Sequence, residues 1–212
     1  MATKVISLGQ QKGGVGKSAA AINLACQAVA AGHKAAVVDL DAEQGTTRRW
    51  AERRGDKPEP LVRVGTAAEL DGFLIELLGL GVEWVFLDLP GRSAHVLSAG
   101  FQRSDLVIIP CRPLDIDIEA SLDTVERVKR GGGRYAYLMN IAPSAQDKQR
   151  AKQVANLLRA HGHQVAEPII VQRVEVPDAI AHGLGVNEFR PKSHSTDEFS
   201  QLFKWLVKET TK

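Results

Sequence analysis

The apolar positions of the chain fall into two alternating patterns. Short, largely apolar runs over residues 4–8, 34–39, 61–64, 84–87, 106–109 and 135–139 are bounded by glycine, proline or polar residues, which is how strands buried on both faces read. Between them the apolar residues return every three or four positions. An alanine-rich stretch over 17–31 predicts a helix that stops at Gly32, and Leu70, Phe73, Leu74, Leu77 and Leu78 mark the inner face of another. Further helices are expected around Trp50, near 118–129, over 146–161, around Ile180 and over 196–209, where Phe199, Leu202, Phe203 and Leu206 form the apolar face. Residues 165–170 read as a last strand, and the three glycines between Arg130 and Arg134 as a loop. Strands alternating with helices of about ten residues or more predict an α/β fold: a doubly wound, mostly parallel sheet with helices on both faces.

Composition narrows the class. With 44 % apolar and 25 % charged residues, the chain has the balance of a globular protein in water and not that of a disordered or membrane-embedded one. Its 212 residues suffice for one large core, so 1–212 is read as a single domain. A formal charge of +2 does not mark a nucleic-acid binder, although a local basic patch can exist beneath a near-neutral total. Cys26 and Cys111 are far apart and lack a CxxC partner, and Cys26, amid Leu24, Ala25 and Ala28, reads as a buried structural thiol. No charged-then-apolar leader opens the sequence, and no apolar run approaches about 18 residues. A reducing cytoplasm is the expected setting.

The chemistry concentrates in GQQKGGVGKSAAA, residues 9–21. Gly13, Gly14, Val15 and Gly16 lie between a strand and a helix, where glycine accepts dihedrals and close approaches that a Cβ would block, so backbone N–H groups can turn towards one point. The N-terminal field of the helix that begins with Lys17, Ser18 and Ala19 adds to those amides. Phosphate is the natural guest: Lys17 would reach the β- and γ-phosphates, and the Ser18 hydroxyl would serve Mg²⁺. Two other segments end strands in carboxylates. In VVDLDAEQ, residues 37–44, Asp39 and Asp41 flank Leu40, and an extended backbone points both to one side. In VFLDLPG, residues 85–91, Asp88 stands at the carboxyl end of a strand, where ligands sit in doubly wound sheets, and is assigned to the Mg²⁺ shell through water. Asp88 can also be read as a helix cap ahead of Ser93, and Lys12, on its own, as a solvated loop lysine.

The literal GxxxxGK[ST] pattern is not met, because Gln11 holds the position of its first glycine; the residues satisfy KGGxGK[ST] instead. In this the chain resembles the deviant Walker A ATPases of the ParA/MinD group, most of all the short ParA-type partition ATPases that lack an N-terminal DNA-binding domain. The resemblance spans about residues 4–208. It implies a P-loop fold, ATP and Mg²⁺ as cofactors, and an ATP-dependent homodimer in which Lys12 crosses the interface to touch the other copy's nucleotide. A lysine so placed ties nucleotide occupancy to dimerisation and adds positive charge where the transferring phosphoryl group needs it. The resemblance also implies that Asp41 positions the attacking water and Asp39 supports the metal shell, making Lys12, Lys17 and Asp41 the catalytic set. The family commonly has Pro-Gln after the second aspartate, where this chain has Ala42-Glu43-Gln44. It has Asp-Thr-Pro-Pro or similar where this chain has Asp88-Leu89-Pro90-Gly91, a segment able to turn across the γ-phosphate as a switch. Asn140 matches an asparagine at the adenine edge, and residues 172–178, with Val176 and Pro177, match the segment that closes over the base. On the residues alone, Asn140 can instead cap a turn and Pro177 can simply start a helix.

From the same resemblance follow slow, partner-stimulated hydrolysis of ATP, DNA held without base preference by the ATP dimer, a ParB-like or other cargo-binding protein as the stimulating partner, and a cytoplasmic, nucleoid-associated location. Segregation of plasmid or chromosomal DNA is the expected function. Positioning of a protein-based or membrane-associated cargo is the alternative, and an ATP-dependent metabolic ligase a more distant one. Arg190, Lys192, Lys204 and Lys208 are the candidate DNA surface, since contact with phosphates requires little more than a local positive field; ordinary solvated cations read the same way. Further basic clusters are Arg127, Lys129, Arg130 and Arg134, and Arg48, Arg49, Arg53 and Arg54 around Trp50, itself read as core. Only residues 207–212 follow Leu206, so the last helix is expected to complete the fold and not to act as a membrane anchor.

Overall fold

The computed structural model describes residues 3–41, 44–142 and 145–211. Among them, β1 (Lys4–Leu8), β2 (Ala35–Asp39), β3 (Leu61–Val64), β4 (Trp84–Asp88), β5 (Leu106–Cys111) and β6 (Tyr135–Met139) form one sheet in the order β3-β2-β4-β1-β5-β6. Every neighbouring pair is parallel. The connecting helices are α1 (Lys17–Ala30), α2 (Thr46–Arg54), α3 (Leu70–Gly79), α4 (Ala94–Gln102), α5 (Asp115–Arg130) and α6 (Ala145–Ala160). They are followed by α7 (Glu175–Ala181), α8 (Val186–Phe189) and α9 (His194–Thr210).

The apolar strand runs are explained by burial on both faces. Successive side chains of a strand point to opposite sides. Ile6, Leu8, Val37, Phe86, Ile108 and Leu138 therefore meet α1 and α9 through Leu24, Ala28, Phe199, Leu202 and Leu206. Their strand neighbours Val38, Val85, Leu87, Val107 and Met139 meet the other layer through Leu77, Leu97, Val125, Ala151 and Leu158. Each large side chain buried in this way contributes about 1.5–3 kcal/mol. A register slip of one residue would exchange the two sets, which fixes the pairing Ile6 with Phe86 and Leu106.

The small side chains of α1 let it lie close over the sheet, with Ala20, Ala21, Ala25 and Ala28 all buried. It stops where Gly32 takes a φ of +88°, a turn that an L side chain resists. Ser93 caps α4 by accepting from Val96 N, so the cap is supplied by the serine and not by Asp88. That nine-residue helix carries no repeating apolar stripe long enough to announce it, and the pattern along the chain does not single it out.

The expected last strand over residues 165–170 does not form; only isolated bridges pair Tyr137 with Val165 and Ala142 with Val171. Ala166 N donates to Tyr137 O and Ile170 N to Met139 O, at 2.7 and 2.9 Å. Between them lies Pro168, which has no N–H to offer the ladder. Four residues of this segment thus span two of β6, and the apolar side chains Val165 and Ile170 are buried without a continuous ladder.

The chain leaves β1 towards β2 and β3 on one side, returns to β4, and crosses to β5 and β6 on the other. The order reverses beside β1, and the carboxyl ends of β1, β2 and β4 open onto the resulting crevice. No described helix is long and apolar enough to cross a membrane.

Candidate functional site

The loop from β1 to α1 wraps the mouth of this crevice. Gly14 and Gly16 adopt φ of +72° and +84°, the left-handed region that glycine enters at little cost. Gly16 is also sterically compelled, because a Cβ there would sit 2.4 Å from Asn140 Nδ2. Gly13, Gly14, Gly16, Lys17, Ser18 and Ala19 line a cavity of about 770 Å³ that also touches Asp41, Gln44, Pro90, Gly91 and Arg92. The first turn of α1 carries no acidic residue, so no side chain of the helix itself offsets its positive end, where an anion would sit.

Lys17 is 8 % exposed, and its Nζ donates to Lys12 O at 3.3 Å. Burial draws its pKa below the ordinary lysine range, while the nearby Asp88 and Asp41 charges oppose that shift. An ammonium held dry beside a cradle of amides binds a phosphate more strongly than one in water.

Asp88 and Asp41 carry charge close to this lysine, and Asp39 lies close to both of those carboxylates. Asp88 is 1 % exposed; Thr47 Oγ1 donates to its Oδ2 at 2.9 Å, and its Oδ1 is buried without a hydrogen-bond partner. Burial, reinforced by the charge of Asp39, pushes the Asp88 carboxyl up to about 7; the hydroxyls of Ser18 and Thr47 and the charge of Lys17 act in the other direction. A buried, unpartnered carboxylate oxygen close to Ser18 fits the edge of a divalent cation's shell. Among the described residues no cluster of three or more His, Cys, Asp or Glu side chains exists to cage a metal. A donor set of the Ser18 hydroxyl and one buried carboxylate oxygen suits Mg²⁺, which keeps waters and takes ligands from phosphate in addition to one or two protein groups.

Asp39 is fully buried and shapes the backbone: Asp41 N donates to its Oδ1 at 2.9 Å and Arg48 N to its Oδ2 at 3.1 Å. Burial raises its carboxyl pKa against those two backbone donors. Asp41 is partly open to the cavity and accepts from Gln44 N at 3.2 Å. Ala42 and Glu43 lie outside the described residues.

At the other side of the loop, Asn140 is 4 % exposed and donates from Nδ2 to Val15 O at 2.7 Å. A second, more apolar hollow of about 550 Å³ begins there and is lined by Ala19, Ile141, Gln172, Val176, Pro177 and Phe199, among others. Glu198 holds its rim by accepting from Val171 N at 3.0 Å and pairing with Arg173 at 2.8 Å.

Lys12 pairs with Asp117, a carboxylate that also accepts from Arg112 Nε at 2.6 Å. Gly91 packs against the loop so closely that a Cβ would lie 2.7 Å from Gln11 O.

A model of the CobQ/CobB/MinD/ParA nucleotide-binding domain matches residues 6–186. The chain belongs to this family. It is 28 % identical to the chromosome-partitioning ATPase Soj of Thermus thermophilus over 93 % of this chain and 92 % of that one. It is equally similar, at 28 %, to the maintenance of carboxysome distribution protein A of Gloeobacter kilaueensis, over 90 % of this chain and 87 % of that one. The fold matches the septum site-determining protein MinD of Pyrococcus horikoshii, solved with Mg-ADP, with a TM-score of 0.78 at 15 % identity over 98 % and 97 % of the two chains.

In this ParA/MinD nucleotide-binding domain Gly13, Gly14, Gly16, Lys17, Ser18 and Asp41 line the crevice, and Asn140, Val176 and Pro177 the neighbouring hollow, while Asp39 and Asp88 are buried at the carboxyl ends of β2 and β4 and do not line it. Arg190, Lys192, Lys204 and Lys208 are exposed, on the segment after α8 and on α9. Of the arginines about Trp50, Arg48, Arg49 and Arg53 face solvent, whereas Arg54 is buried, paired with Glu188 and stacked over the Trp50 ring at 4.9 Å. Trp50 is fully buried and donates from Nε1 to Leu184 O.

Sequence reasoning missed Thr47, Arg92, Arg112 and Asp117. For Thr47 a signal exists, a hydroxyl just inside a helix that follows the Asp39–Asp41 strand end. Asp117 lies 105 residues from Lys12, and no local pattern joins them.

Proposed function

We propose that this chain is an ATP-dependent dimerising partition ATPase that binds DNA without base preference in its ATP state and drives segregation of plasmid or chromosomal DNA. The observation that carries this reading is Lys12, a second lysine on the phosphate loop, whose neighbours Gln11 and Gly13 line the cavity and whose carbonyl oxygen accepts from Lys17.

In this reading the amides of residues 13–19 and Lys17 hold the β- and γ-phosphates of ATP. Ser18 and Asp88 would hold Mg²⁺, which would supply neutralisation of phosphate charge. Asp39 sets the backbone on which Asp41 is presented, and Asp41 orients a water and accepts its proton at a carboxylate oxygen. Asn140 braces the loop at Val15 O while Val176 and Pro177 border the base. Lys12 of each copy reaches the other's nucleotide, so the homodimer forms when ATP is present. Hydrolysis to ADP and phosphate then opens the dimer, at a slow rate raised by a ParB-like or other cargo-binding protein. The reading places the chain in the cytoplasm on the nucleoid, as one domain, with no membrane partner. The exposed Arg190, Lys192, Lys204 and Lys208 supply the field for DNA phosphates.

Binding of the full chain to two unrelated DNA duplexes, with dimer mass followed in the empty, ADP and non-hydrolysable ATP states, tests it. Equal, salt-sensitive binding confined to the ATP-analogue dimer is expected. An ATP-dependent dimer that ignores DNA would favour the second reading, positioning of a protein-based cargo, which is supported by the similarity to the carboxysome distribution protein.

A further inference from the structure

Lys12 is not a solvated loop lysine here. Its ammonium is paired with Asp117 in the first turn of α5, so the phosphate loop after β1 is tied to the helix that follows β5. The Asp117 side chain is fully buried, whereas those of Lys12 and Arg112 are 26 % and 35 % exposed. Arg112 holds the same carboxylate with two bonds, Nε to Oδ2 at 2.6 Å and Nη2 to Oδ1 at 3.2 Å. Neither the phosphate cavity nor the apolar hollow is lined by Asp117. Its carboxylate therefore faces the lysine from outside the nucleotide site.

A buried carboxylate cannot easily give up its only cation, because an uncompensated charge would remain out of water. Two cations change that. Arg112 lies five residues earlier, between β5 and α5, and it keeps Asp117 paired if Lys12 departs. We propose that Asp117 is a positioning residue that holds Lys12 on its own chain in the empty protein, and that Arg112 is the standing counter-ion that lets Lys12 leave for the nucleotide of a second copy. This rests on the reading of Lys12 as a group acting across a dimer.

The exchange gives the two partners of Lys12 opposite effects. A competing contact within one chain lowers the apparent dimer affinity by the fraction of Lys12 that is free. Asp117→Asn weakens the competitor and should lower the ATP-analogue concentration for half-maximal dimerisation, by about tenfold. Arg112→Gln leaves Asp117 dependent on Lys12 alone and should raise that concentration. A loss of packing at either position would push both variants the same way.

The experiment uses the full chain and two readouts: dimer mass across an ATP-analogue titration, and the rate of amine labelling at Lys12 in the empty protein, read by peptide mapping. Labelling should be faster in Asp117→Asn and slower in Arg112→Gln than in the wild type. In a Lys12→Ala background neither Asp117→Asn nor Arg112→Gln should shift dimerisation. Shifts of both variants in one direction, or a gain from Asp117→Asn that survives Lys12→Ala, would overturn the proposal. If Asp117→Asn does not fold, slower labelling and weaker dimerisation in Arg112→Gln carry the same test. A wild-type chain that stays monomeric with the ATP analogue would overturn the dimer reading and this gating together. Unchanged labelling in both variants, with normal dimerisation, would overturn the holding of Lys12 alone.

Discussion

Thr47 donates its hydroxyl to Asp88 across the carboxyl ends of β2 and β4, at 2.9 Å. The second residue of α2 is thereby fastened to the carboxylate at the end of β4, and the other oxygen of that carboxylate is left without a partner. An ionised Asp88 is poorly compensated in the empty protein.

Asp88 titrates at about 7 in the fold against an ordinary value of 3.8, mainly through burial. The folded state holds the proton more tightly than the unfolded one, so this stabilisation is complete below pH 3.8 and is lost as pH rises through about 7. In EDTA and without nucleotide, Asp88→Asn should be more stable than the wild type at pH 8, by roughly 2–4 kcal/mol, with little advantage remaining at acid pH. Urea unfolding at several pH values measures this, and a pH-independent difference would remove Asp88 as its source.

Gly16→Ala should fail on two counts. Its φ is +84° and the added Cβ would strike Asn140. Stability should fall by about 1–3 kcal/mol, and nucleotide binding should weaken by about a hundredfold or more as the loop loses its shape. Calorimetric titration with ATP checks it, because near-normal affinity would show that the loop tolerates the change.

Asp41→Asn keeps an oxygen to accept from Gln44 N, as Asp41 does now at 3.2 Å, while removing the base. Turnover should fall by about a hundredfold or more with the ATP-bound dimer intact. Phosphate release and dimer mass, measured on one sample, separate the two effects; an unaltered rate would take Asp41 out of the reaction.

Lys204 and Lys208 are exposed on α9 opposite Leu202, Phe203 and Leu206. Changing both to glutamine should weaken binding to unrelated duplexes alike. It should also reduce the slope of log affinity against log salt by about 2 per chain. Matched affinities at low salt would move the DNA surface to another face.

The sheet was legible because a strand covered on both sides must be apolar throughout: Val85, Phe86 and Leu87 face alternate layers and are all buried. The phosphate loop was legible because Gly14 and Gly16 need left-handed backbone, a demand that shows in residue type. Residues 165–170 look like a strand by the same apolar rule, yet ladder formation depends on donors, and Pro168 has none. Partnerships across the fold left no such trace. Arg54 could be counted only as one cation among four, but it is the buried member, fixed by Glu188 from 134 residues away. Asp117 meets Lys12 only because β5 lies beside β1 in the sheet.

The bond from Asn140 to Val15 has a consequence for how portable the phosphate loop is. Val15 is held from a residue 125 positions later, so the loop's stiffness is an acquired property of the finished sheet. A fragment ending after β5 would contain every glycine and both lysines of the motif, and would still present them slackly. During synthesis the brace at Val15 would arrive only once β6 had docked and delivered the asparagine that follows it.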